Sequence, residues 1–446
     1  MSSKTNQFWV SPCCGCPRDS KKRNILDFRF SIKGFLKFEI PCVVAISFLS
    51  GLGYLPSSLS YVIDIINMVL LLVSFPKLPA SFQNCRGVAW AILLFCIFCL
   101  TSAIINLVSP VLVLWEAMCL WRLFVYFCLA MIYWEWHDFE HLMDVLLKLQ
   151  IINALFVLVE FFILGCSQDT LGGLFGVEPG CNAGLNVYMC VILAWCMRRY
   201  IAKQTKTVTL ATTMIACLVI ASIAEIKTFY IEFLIIVLSQ VFFNHPTKKT
   251  FGVLIGSAAA IWVGLLVFSS VFPAQFEILT DVNRLLADAD NSNIESGYGV
   301  SRINAFGQIS IQFFNSDLFL EMFGFGFGSV AMSSISFFAS PFSSIYGYLN
   351  YYYLQTAMVF LQMGFVGTVL YLFPFVLMQV YIIRNPFISG MSTTGIKAMY
   401  IALFFVFLLN CMYNNTAHTY YAIFWAAVFV GPLLNLKRQR DDSLDF

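Results

Sequence analysis

The chain has 446 residues, of which 60% are hydrophobic, 17% aromatic and only 11% charged, with a formal net charge of +2 and a mean hydropathy of +0.81. A soluble domain needs about 25% charged residues to cover its surface, so this composition excludes an ordinary globular enzyme and predicts a polytopic membrane protein. The net charge selects no partner, and the information lies in where the charges sit.

The first 34 residues are polar and basic. They lack the short apolar core ending in small residues that marks a cleavable leader, so the first span is expected to act as its own insertion signal. Within this tail, Cys13-Cys14-Gly15-Cys16-Pro17 has no matching second pair of cysteines or histidines, so a reduced tail is the better account than a zinc site. Most other cysteines, among them Cys96, Cys99, Cys119, Cys128, Cys190, Cys196 and Cys217, lie in apolar runs and are expected to pack as small hydrophobes.

A span needs about 20 apolar residues to cross a hydrocarbon core of about 30 Å. Runs that meet or approach this are 38–54, 60–76, 88–107, 113–133, 148–165, 183–199, 208–224, 229–244, 252–272, 354–382, 398–413 and 418–435. The expected fold is therefore an all-α polytopic membrane protein with about twelve transmembrane helices. It divides into a basic N-terminal tail (1–37), nine helices (38–272), one long loop (273–353), three helices (354–435) and a C-terminal tail (436–446). Short amphipathic helices lying on the membrane fit the loop.

Lysine and arginine placement sets the orientation. With the N-terminus inside, 22 of the 26 basic residues fall in inner segments, and only Arg122, Lys227, Arg284 and Arg302 fall outside or in the outer part of a span. Both termini are thus expected in the cytoplasm, and the 273–353 loop outside. Ionisable groups in or beside the spans are Asp64, Glu116, Arg122, Glu160, Glu225, Lys227 and Glu232. Each falls in the external half of its helix or at the turn beyond. Such groups are costly and are functional hypotheses by default, although one near a helix end can snorkel to water as an ordinary interfacial residue. That bland account suits Asp64 or Glu116 taken alone. Arg122 lies about two turns inside its span and needs an anionic partner or a water-filled cavity.

The loop is the one large polar stretch. It holds Arg284, then Arg302 heading the amphipathic run 302–309, then Gly324-Phe325-Gly326-Phe327-Gly328. That glycine string lacks the strand and the Lys-Ser/Thr of a phosphate loop, so a tight turn packed by Phe323, Phe325 and Phe327 is expected. Tyr346, Tyr348, Tyr351, Tyr352 and Tyr353 either line a sugar channel or form an interfacial aromatic belt.

Four local features, in this order and spacing, make the chain resemble the Wzy-type O-antigen polymerase/O-antigen ligase superfamily of bacterial polysaccharide assembly. They are the external turn Gly173–Asn182, which contains Glu178; the hairpin Ala224-Glu225-Ile226-Lys227-Thr228; Arg302 leading to the Gly324–Gly328 string; and Asn350-Tyr351-Tyr352-Tyr353-Leu354 followed by Gly364-Phe365-Val366-Gly367. Ligases of that family usually carry a histidine before the last of these helices, where this chain has Asn350 and tyrosines, which favours polymerase over ligase. The resemblance implies glycosyl transfer at the external face of a bacterial cytoplasmic membrane. The donor would be a growing glycan on undecaprenyl pyrophosphate, and the acceptor a sugar hydroxyl of a lipid-linked repeat unit. A chain-length regulator and a flippase are the implied partners, besides membrane lipids, with no nucleic acid. Transfer of finished glycan by a ligase, or a non-enzymatic flippase, are the alternatives.

Such a reaction needs fixed donors for the charge growing on the leaving pyrophosphate. Arginine and lysine are suited to this. Arg302 and Lys227, with Glu225, are the expected catalytic residues; Arg122, Arg284, Asn350, Tyr353 and Glu178 are the expected substrate-binding residues. A base for the acceptor hydroxyl is sought among Glu225, Glu178, Glu232 and His418, although a lone histidine is more often a plain interfacial residue. No cofactor and no metal is expected. His137-Asp138-Phe139-Glu140-His141 departs from the zinc-protease pattern and reads as solvated helix surface.

Overall fold

The apolar runs fold as helices throughout. A computed structural model describes residues 31–244, 248–290, 299–384 and 395–444, and among these no strand occurs. Most of the 1–37 tail, with Cys13, Cys14 and Cys16, lies outside the described residues. In chain order the helices are α1 (Ile32–Gly51), α2 (Ser60–Ser74), α3 (Leu78–Ser81), α4 (Arg86–Ile105), α5 (Pro110–Leu120), α6 (Arg122–Tyr133), α7 (Trp136–Phe162), α8 (Cys181–Ile201), α9 (Thr207–Ile223), α10 (Lys227–Phe242) and α11 (Lys248–Val271). The polar stretch forms α12 (Pro273–Thr280), α13 (Val282–Asp290), α14 (Ala305–Gln312), α15 (Leu318–Phe323) and α16 (Pro341–Tyr346). The chain then runs through α17 (Gln355–Arg384), α18 (Ile396–Tyr413) and α19 (Ala422–Leu444).

Six helices among the described residues are long and apolar enough to cross a membrane: Ser60–Ser81, Arg86–Ile105, Trp136–Phe162, Lys248–Val271, Gln355–Arg384 and Ile396–Tyr413. A seventh is added if α5 and α6, bent by 53° at their junction, are one span. By length and composition this is a membrane protein. The outer helices bear it out at the side-chain level, since Leu72, Trp90, Ile97, Phe251 and Trp262 point away from the protein. In contrast, α8 is buried on nearly every face, as a helix at the centre of a bundle must be. It packs against α7, α9, α10 and α18.

Local chemistry places the boundaries. Ser31 accepts the Gly34 N–H at 3.0 Å and caps α1, while Pro110, Pro273 and Pro341 open α5, α12 and α16, where a missing N–H costs nothing. The fifth expected span begins twelve residues early, at Trp136 rather than at 148. The reason is electrostatic: Asp138 in the first turn accepts the Glu135 N–H at 2.9 Å, and it pairs with Lys33, at 2.9 Å, and with Lys37 of α1. The amphipathic run expected from Arg302 starts as a helix only at Ala305, because the Ser301 hydroxyl accepts the N–H groups of Ile303 and Asn304 and holds a turn there.

The glycine string is a docking strip. At Gly364, α17 breaks with φ 61° and ψ −162°, a conformation essentially confined to glycine. A Cβ on Gly364 would sit 2.4 Å from the Met322 carbonyl carbon, and one on Gly324 (φ 69°) would sit 2.4 Å from that of Gln362. Backbone crosses backbone here. The break leaves carbonyls of α17 without helical partners, and the strip supplies them: Phe325 N–H donates to Leu361 O at 3.0 Å and Gly326 N–H to Gln362 O at 2.8 Å. Phe327, fully buried, stacks on Trp121 with ring centres 5.8 Å apart. The string is thus packed against protein on both sides.

Candidate functional site

Two interrupted helices meet where this strip lands. One is α17, broken at Gly364; the other is the α5–α6 pair, bent at Trp121. Irregular backbone at membrane depth is tolerated only when it is buried in protein or lines a cavity, and polar side chains gather at such breaks. The Gln362 side chain accepts the Gly328 N–H at 2.8 Å and donates to Glu116 Oε1 at 2.8 Å. The same Glu116 oxygen lies 3.0 Å from His418 Nε2, in the turn between α18 and α19. Glu116 is wholly buried and its Oε2 makes no hydrogen bond among the described residues.

Beyond the bend, Arg122 opens α6. Its Nε and Nη2 donate to the two carboxylate oxygens of Asp64 on α2, at 2.6 and 2.5 Å, and its Nη1 donates to the His418 backbone carbonyl at 3.0 Å. The anionic partner that the buried arginine required is Asp64. Neither Asp64 nor Glu116 is an interfacial residue reaching water, since both are buried.

Arg302 reaches the start of the same turn. Its guanidinium sits 4.4 Å from the centre of the Tyr413 ring, at the last residue of α18, and the residue is exposed. Lys227 opens α10, 3.6 Å from Glu225, which adopts φ 53° in the hairpin before it. The register of α10 against α18 relates the two cations. Asn410 Nδ2 donates to Glu232 Oε1 at 2.7 Å. Tyr413 lies about 4.5 Å beyond Asn410 along one axis, and Lys227 about 7.5 Å beyond Glu232 along the other, at 1.5 Å per residue. The two helices run antiparallel, since a Cβ on Gly395, just before α18, would meet the Gln240 side chain near the end of α10, so both cations sit at the same end of the α10–α18 pair. Glu232 is fully buried beneath them, and Asn410 in turn accepts from the Thr416 hydroxyl at 3.2 Å.

The other expected site residues are more scattered. Arg284 is an exposed residue of α13 paired with Glu277 at 3.1 Å and Asp281 at 3.6 Å, and no described contact joins it to this corner. Asn350 is exposed with φ 56° and starts the turn Tyr351–Tyr353. Tyr353 is about half exposed, whereas Tyr351 is buried and donates to the Val330 carbonyl at 2.9 Å. Asn415 Nδ2 donates to the Tyr352 carbonyl at 2.7 Å, which ties this segment to the His418 turn. Glu178 accepts from the Ser50 hydroxyl at 2.6 Å. Ser50 lines a small crevice of about 10 Å³ with Val43, Ile46, Ser47, Ser60 and Tyr420, room for about one water. Glu160 has a scaffolding position: it accepts the N–H groups of Gly172 and Gly173 at 3.1 and 2.9 Å and so fixes the turn that carries Glu178.

Sequence reasoning missed Gln362 altogether. The available signal was a lone amide in the apolar run Val359-Phe360-Leu361-Gln362-Met363, two residues before a glycine. Comparison with models of known protein families gave no match, and comparison with curated proteins gave none either.

Proposed function

We propose that the chain is a membrane glycosyltransferase that polymerises undecaprenyl-pyrophosphate-linked oligosaccharide repeats into a surface polysaccharide. In this reading the chain crosses a bacterial cytoplasmic membrane twelve times with both termini inside, and the 273–353 segment faces outward. The reading rests on the order of motifs described above. The observation that supports it best is the corner where exposed Arg302, set on Tyr413, and Lys227 lie at one end of the α10–α18 pair. A leaving pyrophosphate gathers negative charge as the glycosidic carbon is attacked, and fixed cations that meet this charge lower the barrier. Arg302, with its planar fork, grips two phosphate oxygens, and Lys227 adds a point charge. In this reading Glu225 holds Lys227 in place, and Glu178, on the turn that Glu160 fixes, faces the sugar. The cations themselves carry the transition-state charge.

Purified protein in detergent, given undecaprenyl-pyrophosphate-linked repeats from the cells that carry it, should lengthen them with no membrane gradient. Losing a charge-assisted bond of about 1.5–3 kcal/mol in Arg302→Ala should slow lengthening by about 10- to 150-fold, with Arg302→Lys in between. A wild-type protein that moves these lipids across a sealed bilayer but lengthens none of them would make it a flippase instead.

A further inference from the structure

We propose that His418, oriented by Glu116, takes the proton from the acceptor sugar hydroxyl during transfer; this rests on the polymerase reading and deepens it.

The geometry is that of a held base. A histidine that merely marks a membrane interface needs no fixed partner, yet this one is anchored at three points. Its ring Nε2 faces Glu116 Oε1 at 3.0 Å. Its backbone carbonyl accepts from Arg122 Nη1 at 3.0 Å, and its N–H donates to the Asn415 carbonyl at 2.8 Å. Glu116 is itself fixed by Gln362. A carboxylate facing Nε2 selects the tautomer with its proton there and leaves the lone pair on Nδ1. Nδ1 makes no hydrogen bond among the described residues, and the side chain retains 13% exposure while Glu116 retains none. The ring is thus buried on its held edge and open on the other, the arrangement that a general base oriented by a carboxylate requires.

The step balances without a further reagent. The acceptor oxygen forms the new bond to the anomeric carbon, whose bond to the pyrophosphate oxygen breaks. Undecaprenyl pyrophosphate leaves with that electron pair, and the hydroxyl proton ends on His418 Nδ1. The resulting imidazolium faces the Glu116 carboxylate.

Charged and titratable groups around the ring are few. Glu116 of α5 meets it directly, and Arg122 of α6 meets its backbone while neutralised by Asp64 of α2. Tyr351 lies within electrostatic reach of Glu116, and Tyr352 joins the turn through Asn415. Arg302 stands at the start of the turn, over Tyr413.

The test uses the full chain in detergent with the same extracted undecaprenyl-pyrophosphate oligosaccharides. His418→Ala should slow lengthening by about 100-fold or more, the usual contribution of a general base. His418→Gln is the second variant, because its amide can still donate to Glu116 and keep the turn, and it should be equally slow. Glu116→Gln should remain partly active, with kcat lowered and KM little changed, since the ring loses the carboxylate that orients it. If His418→Gln lengthens glycans at the wild-type rate while Arg302→Ala does not, this inference falls and the polymerase reading stands. A wild-type kcat in Glu116→Gln would also overturn it. If the wild-type protein lengthens nothing, the reading beneath it falls.

Discussion

Replacing Asp64 by leucine leaves the Arg122 guanidinium buried with only one of its three described hydrogen bonds, the one to the His418 carbonyl. The two side chains are 3% and 7% exposed, and they meet through two parallel bonds of 2.6 and 2.5 Å. Breaking a buried pair by removing one partner costs about 3–5 kcal/mol, because an unpaired charge stays in a medium that cannot solvate it. Two unit charges at about 4 Å and an effective dielectric of about 20 give an attraction of about 4 kcal/mol, in the same range. Arg122→Leu should cost a similar amount and also leaves the His418 carbonyl without its donor, at about 1–3 kcal/mol. The double variant Asp64→Leu/Arg122→Leu removes both charges, so it should fall within about 3 kcal/mol of wild type. The two losses would then be far from additive. Denaturant unfolding in detergent micelles, followed by tryptophan fluorescence, measures all four proteins. Single variants that each lose less than about 1 kcal/mol, or a double variant that loses the sum of the singles, would refute the claim that this pair holds α2 to the start of α6.

Two further outcomes are expected. Gly364→Ala forces a side chain into backbone geometry that only glycine adopts, and against the Met322 carbonyl carbon at 2.4 Å; it should cost at least about 2 kcal/mol, whereas Gly256→Ala, with open space around it, should leave the melting temperature unchanged or raise it. Gln362→Leu removes the acceptor of the Gly328 N–H and one donor to Glu116; it should cost about 1–3 kcal/mol for each buried group left unpaired, and hydrogen exchange should quicken over residues 324–330.

The helical class and the membrane character were legible from the chain alone, because lipid imposes them locally. Each apolar run must satisfy its own backbone, and a helix does so without help from distant residues. Arg122 was likewise recognisable as a charge in need of a partner. What the sequence alone could not supply was the partner, because Asp64 lies 58 positions away and is brought across only by the packing of α2 on α6. The glycine string shows the same division. Its lack of a phosphate-loop pattern was visible, but its actual role depends on a second glycine, Gly364, 36 residues beyond the last of its own. A contact between two backbones requires that neither carry a Cβ, and only the tertiary structure brings those two positions together. His418 read as an isolated turn histidine for the same reason: Glu116 and Gln362, which hold and orient it, arrive from two other helices, each interrupted where they meet.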